Sequence, residues 1–253
     1  MTLQEFFTEN PVVALAYSGG VDSSYLLYEA KKHCKRVGVY TARTAFVPAF
    51  ELEEAEELAQ KLGVPVTFLD LDPLSVPGAV ANGPDRCYHC KIAVFTNIIA
   101  KAKEDGFPLV IDGTNASDDA SDRPGMKALQ ELGVRSPLRE CGITKAQVRK
   151  ASKEAGLFTW DKPAYACLAT RVPTGTPITK YALERIEKGE KALFDLGFTD
   201  FRLRLMGSYA RLQFNKAQIE RAFAERESII AALDGLFEGI TLDLQSRISS
   251  PEE

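Results

Sequence analysis

The segment Ser18-Gly19-Gly20-Val21-Asp22-Ser23-Ser24 restricts the fold of this chain more than any other. It follows a continuous apolar run, Pro11-Val12-Val13-Ala14-Leu15-Ala16-Tyr17, and its last two serines open the segment Ser23-Ser24-Tyr25-Leu26-Leu27-Tyr28-Glu29-Ala30. The run reads as a strand buried on both faces, as in a parallel sheet; the segment after the loop reads as a helix. Two glycines at the junction let the backbone turn tightly and approach a ligand closely. The helix start presents N–H groups without intrahelical acceptors, and its dipole favours an anion. The loop is therefore expected to hold phosphate through Ser18, Gly19, Gly20, Ser23 and Ser24. Asp22 is expected to hold a magnesium ion that bridges phosphate oxygens. A plain tight turn with a capping aspartate competes with this reading. It leaves unexplained why the string stands at the first strand-to-helix turn of a longer alternating pattern.

That pattern continues. Residues 36–41, 64–71 and 109–112 read as strands, and residues 51–62 and 91–104 as helices, with Gly63 placed to stop the first of these. Alternation of this kind predicts an α/β fold, a doubly wound parallel sheet whose strand C-termini share one edge where ligands bind. A helix over 144–155, with Thr144 as N-cap and Gly156 as stop, closes the region. An irregular stretch over 162–177, with prolines and Gly175, reads as a linker and as part of the active site. Beyond it a helix over 181–196, strands over 201–205 and 209–214, a helix over 217–225 and a strand over 240–244 predict a small α+β domain. The expected boundaries are 1–162 for the nucleotide domain, 163–178 for the linker and 179–253 for the small domain.

A net charge of −4 argues against a nucleic acid as the main partner, since phosphate-backbone binders carry a basic surplus. No apolar run reaches membrane-span length, and Met1-Thr2-Leu3-Gln4-Glu5 lacks the basic start of a signal peptide, so a cytoplasmic location is expected. Five cysteines, an odd number in such a chain, do not suggest a disulfide framework.

Three further strings carry chemistry. Asp112-Gly113-Thr114-Asn115 ends the fourth strand on the glycine loop's edge of the sheet, and is followed by Asp118, Asp119, Asp122 and Arg123-Pro124-Gly125. Arg123 suits a phosphate clamp, because a guanidinium grips phosphate oxygens bidentately. In Asp85-Arg86-Cys87-Tyr88-His89-Cys90-Lys91 the cysteine spacing suits a metal or a redox pair. Pro163-Ala164-Tyr165-Ala166-Cys167-Leu168-Ala169-Thr170-Arg171 places Cys167 in the linker. Cys34 and Cys141 stand at no motif spacing and read as incidental thiols, and His33 as a surface residue ending a helix. Arg202 and Arg204 alternate along a strand and share one face, either solvated or anion-binding.

Ser-Gly-Gly-Val-Asp-Ser resembles the pyrophosphate-loop (PP-loop) signature of the ATP pyrophosphatases. The resemblance implies cleavage of ATP between its α and β phosphates, transfer of AMP to an oxygen, and Tyr40 and Thr41 near the adenine. Taken with RCYHCK, DGTN…RPG and PAYACLATR, the chain from about Leu15 to Phe214 resembles the LarE-type sulfur transferases. These adenylate a carboxylate of a pyridinium mononucleotide derived from nicotinic acid adenine dinucleotide and convert it to a thiocarboxylate. The product goes to nickel-pincer cofactor assembly, which implies upstream and downstream enzymes as partners. The resemblance also implies that Arg202 and Arg204 bind the substrate phosphate, that Glu190 assists proton transfer, and that the chain forms a homo-oligomer. Two sulfur routes stay open. Cys167 can give up its own sulfur and become dehydroalanine, or Cys87, Cys90 and Cys167 can hold a 4Fe–4S cluster with one iron open to an extra sulfide. Zinc is a third use of the same thiols, with His89 awkwardly placed as the fourth ligand. A tRNA thiolase would need basic surface, an ammonia-using ligase would leave the cysteines idle, and so would a nucleotide sensor that never releases pyrophosphate.

Overall fold

The structure is a computed structural model and describes residues 1–118 and 123–247, the side chain of Arg123 excepted. The N-terminal half runs α1 (Leu3–Glu9), β1 (Val12–Ala16), α2 (Val21–His33), β2 (Arg36–Arg43), α3 (Ala49–Lys61), β3 (Val66–Asp70), a 3-10 turn (Pro73–Ser75), α4 (Pro77–Val80), α5 (Arg86–Glu104) and β4 (Val110–Ile111). It continues through α6 (Arg123–Glu131), α7 (Pro137–Glu140) and α8 (Lys145–Glu154), then 3-10 turns at Phe158–Asp161 and Leu168–Arg171. The rest is α9 (Lys180–Asp195), β5 (Arg202–Met206), β6 (Tyr209–Gln213), α10 (Ile219–Ala224), α11 (Arg226–Ala232) and β7 (Ile240–Leu242).

The first sheet has the order β3-β2-β1-β4 with every pairing parallel. Side chains alternate across a strand, and β1 shows what that does here. Val13 and Leu15 enter a core built with α1, α2, α3, α7 and α8; Ala14 enters the opposite one, built with α5 and α6. A sheet buried on both faces explains the unbroken apolar run of β1.

The second sheet has the order β5-β6-β7, antiparallel then parallel. Its core takes Leu203, Leu205, Ala210 and Leu212 from the strands, Leu183, Ile186 and Leu193 from α9, and Leu168, Ala169 and Val172 from the linker. Phe46 and Ala79, from the first half of the chain, belong to the same core.

Three local expectations change. The helix expected from residue 91 begins at Arg86, because nothing between Asp85 and Asp105 breaks it. The cysteine pair therefore lies in its first turns. The linker is not wholly irregular: a 3-10 turn follows Cys167. A second helix, α11, follows α10 after Glu225, although no glycine or proline marks the join.

Candidate active site

The glycine loop is shaped by two close approaches. Gly19 has φ +73°, and a Cβ there would lie 2.6 Å from the Cβ of Ala55 on α3. Gly113, just past β4, faces the start of α2, where a Cβ would sit 2.8 Å from the Ser23 nitrogen. Only glycine lets these backbones meet. Between them lies a cavity of about 260 Å³ lined by Ser18, Gly20, Asp22 and Ser23 with Asp112, Gly113, Thr114 and Asp118; Ala16 and Phe95 form its apolar wall. Gly20 caps α2 without a side-chain hydrogen bond, which leaves the helix N-terminus open to an anion.

The polar groups of the cavity are held in place. Ser18 Oγ and Ser23 Oγ are 3.1 Å apart, and Ser23 Oγ donates to the Gly20 carbonyl at 3.2 Å. Asp112 accepts from Thr114 Oγ1 at 2.5 Å and from Ser136 Oγ at 2.6 Å. Burial pushes the Asp112 carboxyl above its ordinary value, and those hydrogen bonds oppose the shift. Asp22 accepts from Asn115 Nδ2 at 3.3 Å and is ion-paired with Lys145. Burial raises Asp22 as well, with Lys145 opposing.

Lys145 has no counterpart among the residues expected from the sequence. It is the first residue of α8, and Thr144 before it forms a capping box with Gln147. Once Thr144 is read as an N-cap, the next residue must face the same sheet edge as other helix starts. That was the available signal.

Other expected residues turn elsewhere. Ser24 is buried, with its hydroxyl 3.4 Å from Tyr17 Oη rather than in the cavity. The Tyr40 phenol donates to Asp105 at the far end of α5 at 2.8 Å, and Thr41 Oγ1 donates to the Tyr17 carbonyl at 2.8 Å. Neither side chain is free to read a base, so only their backbone could. Asp119, Asp122 and the Arg123 side chain lie outside the described residues.

The cysteines form a second centre. Cys87 and Cys90 are three apart on α5 and so share a face. Cys167 caps the 3-10 turn Leu168–Arg171. Cys90 and Cys167 both pack against the core of the small sheet. Burial pushes the Cys90 thiol up to about 11, and the neighbouring Cys167 and Cys87 thiols add to the shift. Burial also raises Cys167, opposed first by Arg86. No three His, Cys, Asp or Glu side chains among the described residues converge closely enough to hold a single metal ion. A 4Fe–4S cluster takes each thiolate on a separate iron and so needs them further apart. The donor set, three half-buried thiols, fits that group.

Guanidinium groups hold the segment around Cys167 by its carbonyls. Arg202 donates to Ala164 at 2.6 Å, Arg171 to Ala166 at 2.6 Å and Cys167 at 3.2 Å, Arg86 to Ala169 at 3.1 Å and Arg204 to Thr170 at 2.9 Å. Arg171 is fully buried and bonded twice to Glu190, at 2.9 and 3.1 Å. Glu190 also accepts from Tyr165 Oη and from the Leu203 nitrogen at 3.1 Å. Its oxygens thus bind Arg171, Tyr165 and the β5 backbone. Tyr165 and Arg171, which the sequence did not mark, carry this carboxylate to the Cys167 turn. Arg202 and Arg204 differ: Arg202 is buried, and burial together with Arg171 and Arg247 brings it down to about 10. Arg204 instead lines a cavity of about 310 Å³ with Arg171, Arg211, Thr170 and Thr174.

No family model matches the chain. It is 33% identical over 235 residues to the pyridinium-3,5-bisthiocarboxylic acid mononucleotide synthase of Lactiplantibacillus plantarum, an alignment covering 92% of this chain and 85% of that protein. It is 37% identical over 222 residues to an uncharacterized protein of Synechocystis, covering 87% and 82% of the two chains. Argininosuccinate synthase of Haloarcula marismortui is 31% identical over 161 residues, 58% of this chain and 38% of that enzyme.

Proposed function

The chain belongs to the family of pyridinium-3,5-bisthiocarboxylic acid mononucleotide synthase, the LarE-type sulfur transferases, and from that membership we propose an ATP-dependent conversion of a pyridinium mononucleotide carboxylate to a thiocarboxylate. The fold is of the PP-loop type and the protein is an enzyme of pyridinium thiocarboxylate synthesis. The finer steps are our reading. ATP sits in the loop cavity, with its phosphates at the start of α2; Asp22 would hold a magnesium ion, which would neutralise charge on the phosphate oxygens. Lys145, ion-paired with Asp22 at the cavity, is placed to supply positive charge to the phosphates. The substrate carboxylate attacks the α-phosphorus, pyrophosphate leaves, and a sulfur nucleophile then expels AMP. Arg204, facing the larger cavity, takes the substrate phosphate, while Arg202 and Glu190 hold the Cys167 turn.

The observation that carries this reading is the pairing, in one chain, of a helix-start cavity with Cys90 and Cys167 packed against one core and Arg86 joining Cys87 to the Cys167 turn. Cys87, Cys90 and Cys167 would hold the 4Fe–4S cluster, and such a cluster supplies an open iron that carries an extra sulfide. The second sulfur route rests on Cys167 alone. Its thiolate displaces AMP to give a thioester; loss of the Cα proton then breaks the Cβ–Sγ bond, leaving thiocarboxylate and dehydroalanine. We further propose residues 1–162, 163–178 and 179–253 as nucleotide domain, linker and small domain, a homo-oligomeric assembly, and a cytoplasmic setting among enzymes that supply the substrate and consume the product. No helix among the described residues is long and apolar enough to cross a membrane.

The test is anaerobic purification with iron and sulfide assays, followed by incubation with ATP and pyridinium-3,5-biscarboxylic acid mononucleotide, with and without added sulfide. Pyrophosphate and thiocarboxylate should appear together. Iron-free protein that turns over once and loses the mass of H₂S selects the sacrificial route. Pyrophosphate without any thiocarboxylate sinks sulfur transfer.

A further inference from the structure

Arg86 touches both cysteine-bearing elements. Its Nη1 donates to Asn82 Oδ1 at 2.8 Å and to the Ala169 carbonyl at 3.1 Å, while Nη2 lies 3.6 Å from Cys87 Sγ. Ala169 sits in the turn that Cys167 caps. One planar guanidinium therefore spans the first turn of α5 and a segment more than seventy residues away.

Asn82 orients it. This residue is fully buried, with φ +54°, a backbone conformation non-glycine residues seldom adopt. Its Nδ2 donates to the carbonyls of Val172, Pro173 and Thr176 at 3.3, 2.9 and 3.0 Å, and its own carbonyl accepts from the Gly175 nitrogen at 2.9 Å. The same side chain thus ties down the end of the linker and fixes the guanidinium that ties its middle.

We infer that Arg86 is a positioning residue that sets the separation of Cys87 and Cys167, with Asn82 as the group that orients it. Arg202 and Arg204 of the small sheet grip the Cys167 turn, and Arg171 braces it from within, but these bonds end on the turn's own carbonyls and not on α5's cysteines. The Leu168 nitrogen donates to the Phe46 carbonyl at 2.9 Å, which anchors the turn near α3 and not at Cys87. Arg86 alone among these bonds joins the turn to a cysteine of α5. A guanidinium suits the task because its donors diverge in one rigid plane, whereas lysine is a point charge on a flexible stem. The inference rests on the reading that these thiols handle sulfur, and it holds for either sulfur route.

The test reads geometry apart from turnover. The full chain, without added iron or sulfide, is treated anaerobically with dibromobimane, which bridges neighbouring thiols, and the bridged peptides are quantified. Cys87–Cys90, about 5–6 Å apart at Cβ on one helix, is the internal reference. In R86A and R86K the Cys87–Cys167 bridge should fall at least about tenfold against that reference, since a misplacement of about 1 Å can cost about a hundredfold in a reaction between positioned groups. N82G keeps the left-handed backbone available while removing the orienting amide; it should lower the bridge in the same direction and serves where R86A fails to fold. A Cys87–Cys167 bridge unchanged within about twofold in R86K and N82G overturns the inference. A bridge that falls as expected in a protein whose wild type never forms thiocarboxylate upholds the positioning role and removes the proposed function instead.

Discussion

Gly113 shows how little room the glycine-loop cavity leaves. A Cβ would press on the Ser23 backbone at 2.8 Å, so G113A must push β4's end away from α2. We expect a loss of about 1–3 kcal/mol in stability, read by urea unfolding, together with weakened ATP binding by calorimetry. Lys145 makes a prediction with a sign. Asp22 is held above its ordinary 3.8, so folding takes up a proton there. Its contribution is most favourable below that value and is lost as pH rises through the raised one. K145M removes the opposing cation, so stability should fall more steeply than in the wild type as pH rises above 3.8. Cys34 acts at the other end of the scale. Burial carries it from 9.0 to about 11, so the unfolded chain loses that proton first and stability falls as pH rises from 9 to 11. C34A should flatten the slope in that window, measured by unfolding at fixed pH.

α8 links capping to chemistry. T144A loses a side-chain acceptor of the capping box and should cost about 1 kcal/mol; because Lys145 follows it, ATP affinity should fall as well. At the linker, the Arg171–Glu190 pair is almost wholly buried. Removing one partner of such a pair strands the other, so E190Q should cost about 3–5 kcal/mol by chemical unfolding. If Glu190 moved a proton during sulfur release, E190Q would change the pH profile of thiocarboxylate formation; a holding role predicts lower stability with the profile unmoved. These elements differ in how far their residues foretold them. Thr144 and Gly156 bounded α8 at both ends. The start of α5 was missed by five residues, since Asp85 makes no side-chain cap hydrogen bond and nothing local announces the turn.

At the scale of the whole molecule, the small sheet does not close its own core. Phe46, Ala79 and the linker's Leu168, Ala169 and Val172 complete it. A fragment ending at residue 162 would expose Phe46 and Ala79, and should be less stable and more aggregation-prone than the full chain, by circular dichroism and light scattering. The parallel sheet and its loop were legible because both rest on local physics. An apolar strand, two glycines and a helix start suffice to place an anion site wherever the strand lies in the sheet. Asp112, Gly113 and Thr114 were legible because a strand's end must fall on the same edge. Partnership across distance was not. Whether Arg202 or Arg204 faces a cavity, which carbonyl Arg86 meets, and whether Tyr40 turns toward the loop or toward Asp105 depend on contacts between segments far apart in the chain. Periodicity assigns a side chain to a face of its element; only the packing of one element on another decides what stands opposite. Cys87, Cys90 and Cys167 could be singled out by type and spacing, but the bonds that bring their segments together exist only in the folded chain.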